Sequence, residues 1–345
     1  MNQPPSDKLR VAVIGHGWAA SAHIAAINQT GLATVTTICS SRPLDSKELS
    51  QTYGGEIRTT TDYNDVLTDP SIDVIDITGL PTTHARQFIQ AAEAGKHIIV
   101  EKPIAMNLAD CEAMAAAADK AGIKTCVCFE VRYSAQMQAT KAMLDEGLLG
   151  DVHYGEVDYY HGIGPWYGQF RWNTQKENGG SALLTAGCHA LDALLMLMGT
   201  DVEEVTSYST RSSSPVFAPY EYATASTTLL KFRSGKVAKC AAIVDCLQPY
   251  YFRTHLIGSE GTLLDNKFHS SKLRTDKAQW SQLAFPMLDS GDVKDHPYQT
   301  QFQSFFTAIR EGRQMPLTSL NDALQTFRVL FAADESAATG RPVRL

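Results

Sequence analysis

The sequence predicts an α/β chain in two parts: an N-terminal doubly wound parallel sheet, then a C-terminal α+β domain with a large, mostly antiparallel open sheet. Three observations predict it. Short apolar runs alternate with helical segments as far as residue 128. The first of these runs ends at Gly15-His16-Gly17. Beyond residue 130 the pattern changes to long segments of alternating polarity, Val152 to Tyr160, Glu204 to Thr210, Ala223 to Phe232 and Lys236 to Val244, as in a sheet with one covered face.

Taken in order, Arg10 to Ile14 is a strand, Gly15-His16-Gly17-Trp18-Ala19-Ala20 a turn, and Ala19 to Gln29 a helix. Gly15 permits a tight turn, Gly17 lets the backbone approach a pyrophosphate, and Ala20 stands where helix and strand pack closely. Phosphates would then meet the free N–H groups of the helix, with His16 and Trp18 facing them or the substrate. Alone, such a glycine pattern fits a structural turn equally well. Its context is a strand at Ala33 to Cys39, a helix at Ser46 to Tyr53, a strand at Asp73 to Thr78, a helix at Thr82 to Ala94 and a strand at Lys96 to Val100. A helix at Leu108 to Ala121, opened by Asn107, and a strand at Lys124 to Cys128 complete the series. This is the rhythm of a dinucleotide-binding Rossmann domain, expected over 1–128, with a substrate-binding and oligomerisation domain over 129–345.

The second strand ends in Cys39-Ser40-Ser41-Arg42, without the carboxylate that holds the ribose hydroxyls of NAD, so NADP is preferred over NAD. Glu101-Lys102-Pro103 follows the strand ending at Val100, where open parallel sheets place their ligands. A lysine there can serve as a cation, a proton donor or, with a depressed pKa, a base. In the second part, Gly179-Gly180-Ser181 opens an apolar helix, Ala182 to Met198, whose few polar side chains, Thr185, His189 and Asp192, fall on one face. A polar stripe on a buried helix must find partners. No GxSxG elbow is present, which argues against a hydrolase triad. Between these elements, Tyr159 to Trp172 is a loop dense in aromatics, including Trp166, Tyr167, Arg171 and Trp172; it suits a sugar's apolar face or an oligomer interface equally.

With 345 residues the chain has room for two domains and a cleft. A hydrophobic fraction of 44% supports packed cores, and a net charge of −7 without long runs gives no case for nucleic acid or an anionic membrane surface. The default partner is a small molecule. The polar N-terminus carries no signal pattern and no apolar run approaches a membrane span. Seven cysteines without a CxxC pair read as reduced thiols, so the expected location is cytoplasmic and no metal site is expected.

Taken together, these motifs make the chain similar to the Gfo/Idh/MocA family of NAD(P)-dependent oxidoreductases, which act mainly on sugars, cyclitols and related polyols. The resemblance spans nearly the whole length. It rests on Gly15-x-Gly17, Leu80-Pro81-Thr82-Thr83-His84, Ala94-Gly95-Lys96-His97 running into Glu101-Lys102-Pro103, Gly179-Gly180 followed by Gly187-x-His189-x-x-Asp192, Gly258-Ser259-Glu260-Gly261-Thr262, and the closing Ser336 to Arg341. It implies that Lys102 is the catalytic lysine preceding a cis-proline and that His189 is the acid/base residue. Many members have aspartate four residues before the histidine, where this chain has Thr185. The implied cofactor site comprises Gly15, His16, Gly17, Trp18, Ala19, Ser40, Ser41, Arg42, Thr78, Pro81, His84, Glu101 and Lys102. The implied substrate site comprises Lys102, Arg132, Trp166, Tyr167, Arg171, Trp172, Thr185 and His189.

The reaction so implied is hydride transfer between a secondary alcohol of a sugar, glycoside or cyclitol and NADP or NAD. Two alternatives share the fold: an NAD-dependent glycosidase or lyase using transient oxidation, and a non-enzymatic nucleotide-sensing regulator. The alternating strands further predict a homodimer or homotetramer joined through the C-terminal sheet, with Val157, Tyr159, Thr228 and Leu230 as outward positions to test, although the sequence alone does not fix which parity faces out.

Overall fold

The computed structural model describes residues 8–274, 276–292 and 295–345. It divides into two compact units that no single cut separates. One runs to Glu130 and also takes in His296–Leu324; the other comprises Val131–Asp295 and Gln325–Leu345. Residues 296–324, placed by the sequence in the second domain, thus belong to the first unit.

The first unit opens with β1 (Leu9–Ile14), α1 (Trp18–Gln29), β2 (Ala33–Cys39), α2 (Ser46–Tyr53), β3 (Arg58–Thr60) and α3 (Tyr63–Thr68). It continues through β4 (Val74–Ile77), α4 (Pro81–Glu93), β5 (His97–Val100), α5 (Leu108–Ala121) and β6 (Thr125–Val127). The strands form one parallel sheet in the order β3-β2-β1-β4-β5-β6. Val74, Ile75, Ile77, Ile98, Ile99 and Val100 are fully buried, which is why these strands read as continuous apolar runs. β3 and α3 are absent from the sequence reading. Arg58-Thr59-Thr60 has no apolar signature, and α3 is a short helix fixed by its cap, Asp62, which accepts from the Asn64 N–H at 2.8 Å. The other helix ends carry stronger signals. Asn107 accepts from the Asp110 N–H at 2.9 Å to open α5, and Gly122, at φ +64°, closes it.

The second unit contains α6 (Ala135–Asp145), β7 (Val152–Tyr160), α7 (Phe170–Asn173), α8 (Lys176–Gly179), a π turn at Leu183–Gly187, and α9 (Cys188–Met198). β8 (Val202–Thr210), β9 (Ala225–Phe232), β10 (Val237–Ile243), β11 (Tyr251–Gly258), β12 (Gly261–Leu264), β13 (Lys267–Ser270) and β14 (Ser281–Gln282) follow. The chain returns to the first unit for α10 (Tyr298–Arg310) and the start of α11 (Leu320–Thr339), then ends in β15 (Val343–Arg344). The nine strands order as β14-β13-β12-β11-β7-β10-β9-β8-β15, antiparallel except where β7 meets β10.

α9 and the π turn lie on β7 and β10 at close range because small residues line the contact. A Cβ on Gly187 would stand 2.2 Å from that of Ala242, and one on Gly155 would stand 2.7 Å from the Met198 sulfur. The segment Lys176–Met198 is long and apolar enough to cross a membrane, contrary to the sequence reading, but it is buried as the core helix of this unit.

Helix packing also settles which parity of the sheet faces out. Val157, Tyr159, Thr228 and Leu230, expected outward, are buried on the helix-covered face. The exposed parity carries Tyr208, Leu229 and Val237, at 68%, 48% and 43% exposure, beside an ion cluster. In that cluster Lys239 lies 2.7 Å from Asp158 and 3.2 Å from Glu156, and Arg253 lies 3.3 Å from Glu156. The seven cysteines are free, and all but Cys246 are buried.

Candidate cofactor and catalytic site

The turn after β1 has the geometry of a phosphate cradle. Gly15 sits at φ +104°, where a Cβ would meet Thr78 Oγ1 at 3.1 Å and the Gly79 nitrogen at 3.2 Å, so only glycine fits. Gly17 occupies the N-cap of α1, and among the described residues no side chain caps the helix and nothing beyond the adjoining residues lies within 4 Å of the position its Cβ would take. The backbone can therefore be approached closely beside the uncapped N–H groups of α1, as a pyrophosphate requires. Ala20 is fully buried against the sheet, while Trp18 and Ala19 stay partly exposed. Thr78 donates to the Ile14 carbonyl at 3.0 Å and ties the ends of β4 and β1 together.

At the end of β2, Ser40 is buried while Ser41 and Arg42 are exposed. Burial first, and then the Arg42 guanidinium, hold the His16 imidazole below its usual range, with Glu48 opposing. Arg42 thus stands close enough to the glycine turn to act on it.

Lys102-Pro103 is a cis peptide, as the family resemblance implied. The turn is held from beneath. His84, buried in α4, directs Nδ1 at the Pro103 carbonyl at 2.9 Å and Nε2 at the Gly79 carbonyl at 3.0 Å, and Pro81 starts that helix. Both ring nitrogens are engaged with backbone, so the structure places His84 as a support of the turn. Glu101 is likewise directed inward: Oε2 accepts from the Lys102 N–H at 3.0 Å, and Oε1 meets His23 Nε2 at 2.9 Å and Tyr298 Oη at 3.0 Å. Lys102 retains a partly exposed side chain between these two buried neighbours.

In the second unit Thr185 and His189 are both buried, at 5% and 4% exposure. The π turn carries Thr185, whose hydroxyl donates to Asn173 Oδ1; Tyr222 Oη fixes Asn173 in turn through its carbonyl at 2.6 Å. Asp192, the third member of the predicted stripe, takes a two-pronged contact from Arg132 at 2.6 Å through both Nε and Nη2, and accepts from Thr326 at 2.8 Å. Arg132 and Asp192 therefore form a buried ion pair beneath the helix. Trp166 is exposed at 63%, with its indole N–H on the Gly162 carbonyl at 2.8 Å and its ring edge-on to Phe217. Tyr167 packs edge-on to His161, and Arg171 and Trp172 lie on α7. Asn173, Tyr222, His23 and Tyr298 were missed. For His23 a signal existed: a histidine on the Ala/Ile face of a buried helix must find a polar partner.

A parallel sheet in this strand order, with a glycine turn against a helix N-terminus and a lysine after β5, defines a dinucleotide-dependent oxidoreductase fold. Residues 9–129 match the family model described as "Oxidoreductase family, NAD-binding Rossmann fold", and residues 137–264 match the GFO/IDH/MocA C-terminal domain. The chain belongs to the GFO/IDH/MocA oxidoreductase family. It is 26% identical over 341 residues to scyllo-inositol 2-dehydrogenase (NAD(+)) of Bacillus subtilis (strain 168), covering 98% of this chain and 96% of that protein. It is also 26% identical to levoglucosan dehydrogenase of Pseudarthrobacter phenanthrenivorans, covering 96% of each. A solved levoglucosan dehydrogenase in complex with NADH superposes with a TM-score of 0.83 at 25% identity, over 98% of this chain and 99% of that one.

Proposed function

We propose that the protein catalyses reversible hydride transfer between a secondary alcohol of a sugar, glycoside or cyclitol and a nicotinamide cofactor. The observation that carries this reading is the Glu101-Lys102-Pro103 turn, in which buried contacts fix both neighbours and Lys102 keeps a partly exposed side chain. The glycine turn and the α1 N-terminus would hold the pyrophosphate, and a nicotinamide so held would supply the hydride chemistry. His189 takes the proton of the substrate hydroxyl, and Lys102 stabilises the negative charge that develops on its oxygen. Thr185, one turn before His189 on the same helix face, is held by Asn173 and brings a neutral hydroxyl to that face. Trp166 and Tyr167 offer ring faces to the apolar side of a pyranose or cyclitol.

Oxidation of a panel of monosaccharides, glycosides and inositols with NAD and NADP tests this directly. Growth of reduced nucleotide with one group of substrates is expected. Bond cleavage without net nucleotide reduction would instead support a glycosidase or lyase, and nucleotide binding without turnover a sensor.

Cofactor choice follows from charge. With no carboxylate from Cys39 to Arg42 and a guanidinium beside the glycine turn, the site suits a ribose 2′-phosphate, and NADP is the preferred cofactor. Arg42→Ala is expected to lower the kcat/KM ratio of NADP over NAD by about tenfold, the loss of one charge-assisted contact. An unchanged ratio would make Arg42 a surface charge and return the preference to NAD.

The outer parity of the second sheet, with Tyr208, Leu229 and Val237, is the proposed homodimer or homotetramer surface. Light scattering of the wild type is expected to give a multiple of 37.7 kDa. Leu229→Lys, which places a charge in that face, is expected to shift the particle towards the monomer. A monomeric wild type would end this part of the proposal.

A further inference from the structure

His23 lies on the inner face of α1, fully buried, and meets a carboxylate through each ring nitrogen. Nδ1 is 3.0 Å from Asp76 Oδ2 on β4, and Nε2 is 2.9 Å from Glu101 Oε1 after β5. Carboxylates only accept, so both contacts need a proton between them. Tyr298 and Phe302 of α10 close over the ring at centroid distances of 4.6 and 5.0 Å, and Cys128 Sγ approaches Nε2 at 3.9 Å. From this cluster a chain of contacts leads to the site: His23 to the Glu101 carboxylate, then from its other oxygen to the Lys102 N–H.

We propose that His23 is a positioning residue for Lys102, acting through Glu101 to fix both the backbone on which the lysine stands and the negative charge beside its ammonium. The inference rests on the reading above of Lys102 as the group at the reacting hydroxyl.

A purely architectural role would not need these groups. Apolar side chains of similar volume hold a helix on a sheet at least as well as a buried ion triad. They could not accept from the Lys102 N–H, and they would bring no charge to its side chain. The electrostatics agree with the geometry. Burial disfavours the imidazolium, but Asp76 and then Glu101 more than offset it and lift the His23 pKa to about 10. Burial also disfavours the Glu101 carboxylate, and the His23 hydrogen bond and charge, with Lys102 and Tyr298, overcome it and bring that group to about 2. The Asp76 carboxyl is raised, by burial first, with His23 opposing. Glu130 adds a further negative charge acting on Tyr298 and Cys128. Remove His23, and burial acts on Glu101 with its main counterweight gone. The carboxyl pKa rises, and the contact that holds its charge in place beside Lys102 is lost.

The test is competitive acetylation of the full chain with acetic anhydride across pH, read at Lys102 by peptide mass, in wild type, His23→Gln, Glu101→Gln and the double variant. Both single variants are expected to move the Lys102 labelling midpoint to lower pH, because an ammonium whose neighbouring anion is removed or displaced gives up its proton more readily. The double variant is expected to move no further than Glu101→Gln alone, since both changes act through one carboxylate. In parallel, kcat with the best substrate of the panel is expected to fall about 10- to 100-fold while the nucleotide KM stays within about threefold, as displacement of one reacting group predicts.

A folded His23→Gln protein of lower Tm with the wild-type midpoint would overturn the proposal, because His23 would then be structural only. Additive shifts in the double variant would overturn the route through Glu101. Tyr298→Phe, which removes one hydroxyl from the same carboxylate, is expected to shift the midpoint in the same direction by less; if His23→Gln does not fold, an unchanged midpoint here overturns the proposal. Full turnover in Lys102→Ala would instead defeat the reading of the site, leaving the labelling result to judge this coupling separately.

Discussion

Lys102→Ala is expected to reduce turnover at least about 10²-fold, roughly 2.7 kcal/mol of transition-state stabilisation, while cofactor affinity changes only a few-fold. The asymmetry follows from where the residue stands. On the proposed reading, pyrophosphate contacts would come from backbone at Gly15 to Ala19 and from the α1 N-terminus, none of which uses the lysine side chain. What the side chain would supply is a positive charge near an oxygen that carries negative charge between the loss of its proton and the departure of the hydride, an interaction absent from the ground state. Steady-state kinetics with nucleotide titration by fluorescence separates the two. The turn itself should survive the change, because Glu101, His84 and the Lys102 backbone N–H hold it without the ammonium. Near-normal kcat in a folded Lys102→Ala protein would therefore remove the residue from the chemistry.

His189→Ala is expected to cost about 10²- to 10⁴-fold in alcohol oxidation, the range of one lost proton-transfer group. Oxidation by the wild type should rise with pH through a single ionisation, because only a neutral imidazole accepts the hydroxyl proton, and that ionisation should vanish in the alanine variant. Added imidazole should restore part of the rate. Thr185→Asp should displace the ionisation upward, since a carboxylate one turn away stabilises an imidazolium, whereas the present hydroxyl is committed to Asn173. A flat profile with chemistry rate-limiting would move the base role to Lys102 or to water. An unchanged profile in Thr185→Asp would show that the two side chains act independently.

Much of the first unit was legible because it is written in local pattern. Fully buried strands leave continuous apolar runs, and helix ends leave caps such as Asn107 and Gly122. The glycine turn was legible for the same reason, being contiguous. What the sequence concealed depends on distance along the chain. His23 reaches Glu101 across 78 residues and Tyr298 reaches it across 197, and no spacing rule connects them. Arg132, assigned to the substrate site, and Asp192, 60 residues on in the predicted polar stripe, pair with one another. The outward face of the second sheet was misjudged because both parities of β9 carry leucine: Leu230 is buried, Leu229 is exposed, and only the docking of α9 distinguishes them. The π turn escaped because one extra residue in a helical turn changes no composition.

The chain passes between the two units three times, at 130/131, 295/296 and 324/325. That threading limits how the protein can be taken apart or recombined. A fragment ending at Cys128 would include every strand of the parallel sheet but omit α10, whose Phe302, Phe305 and Phe306 are fully buried and whose partner is α1, the helix that begins the cofactor turn. Such a fragment would expose aromatic-lined surface and leave Glu101 without the Tyr298 hydroxyl. A chimera that exchanges the substrate half for that of a relative would need matched junctions at all three crossings, with His296–Leu324 travelling alongside the nucleotide half. In this architecture the exchangeable module is a discontinuous set of segments, and its boundaries are visible only in three dimensions.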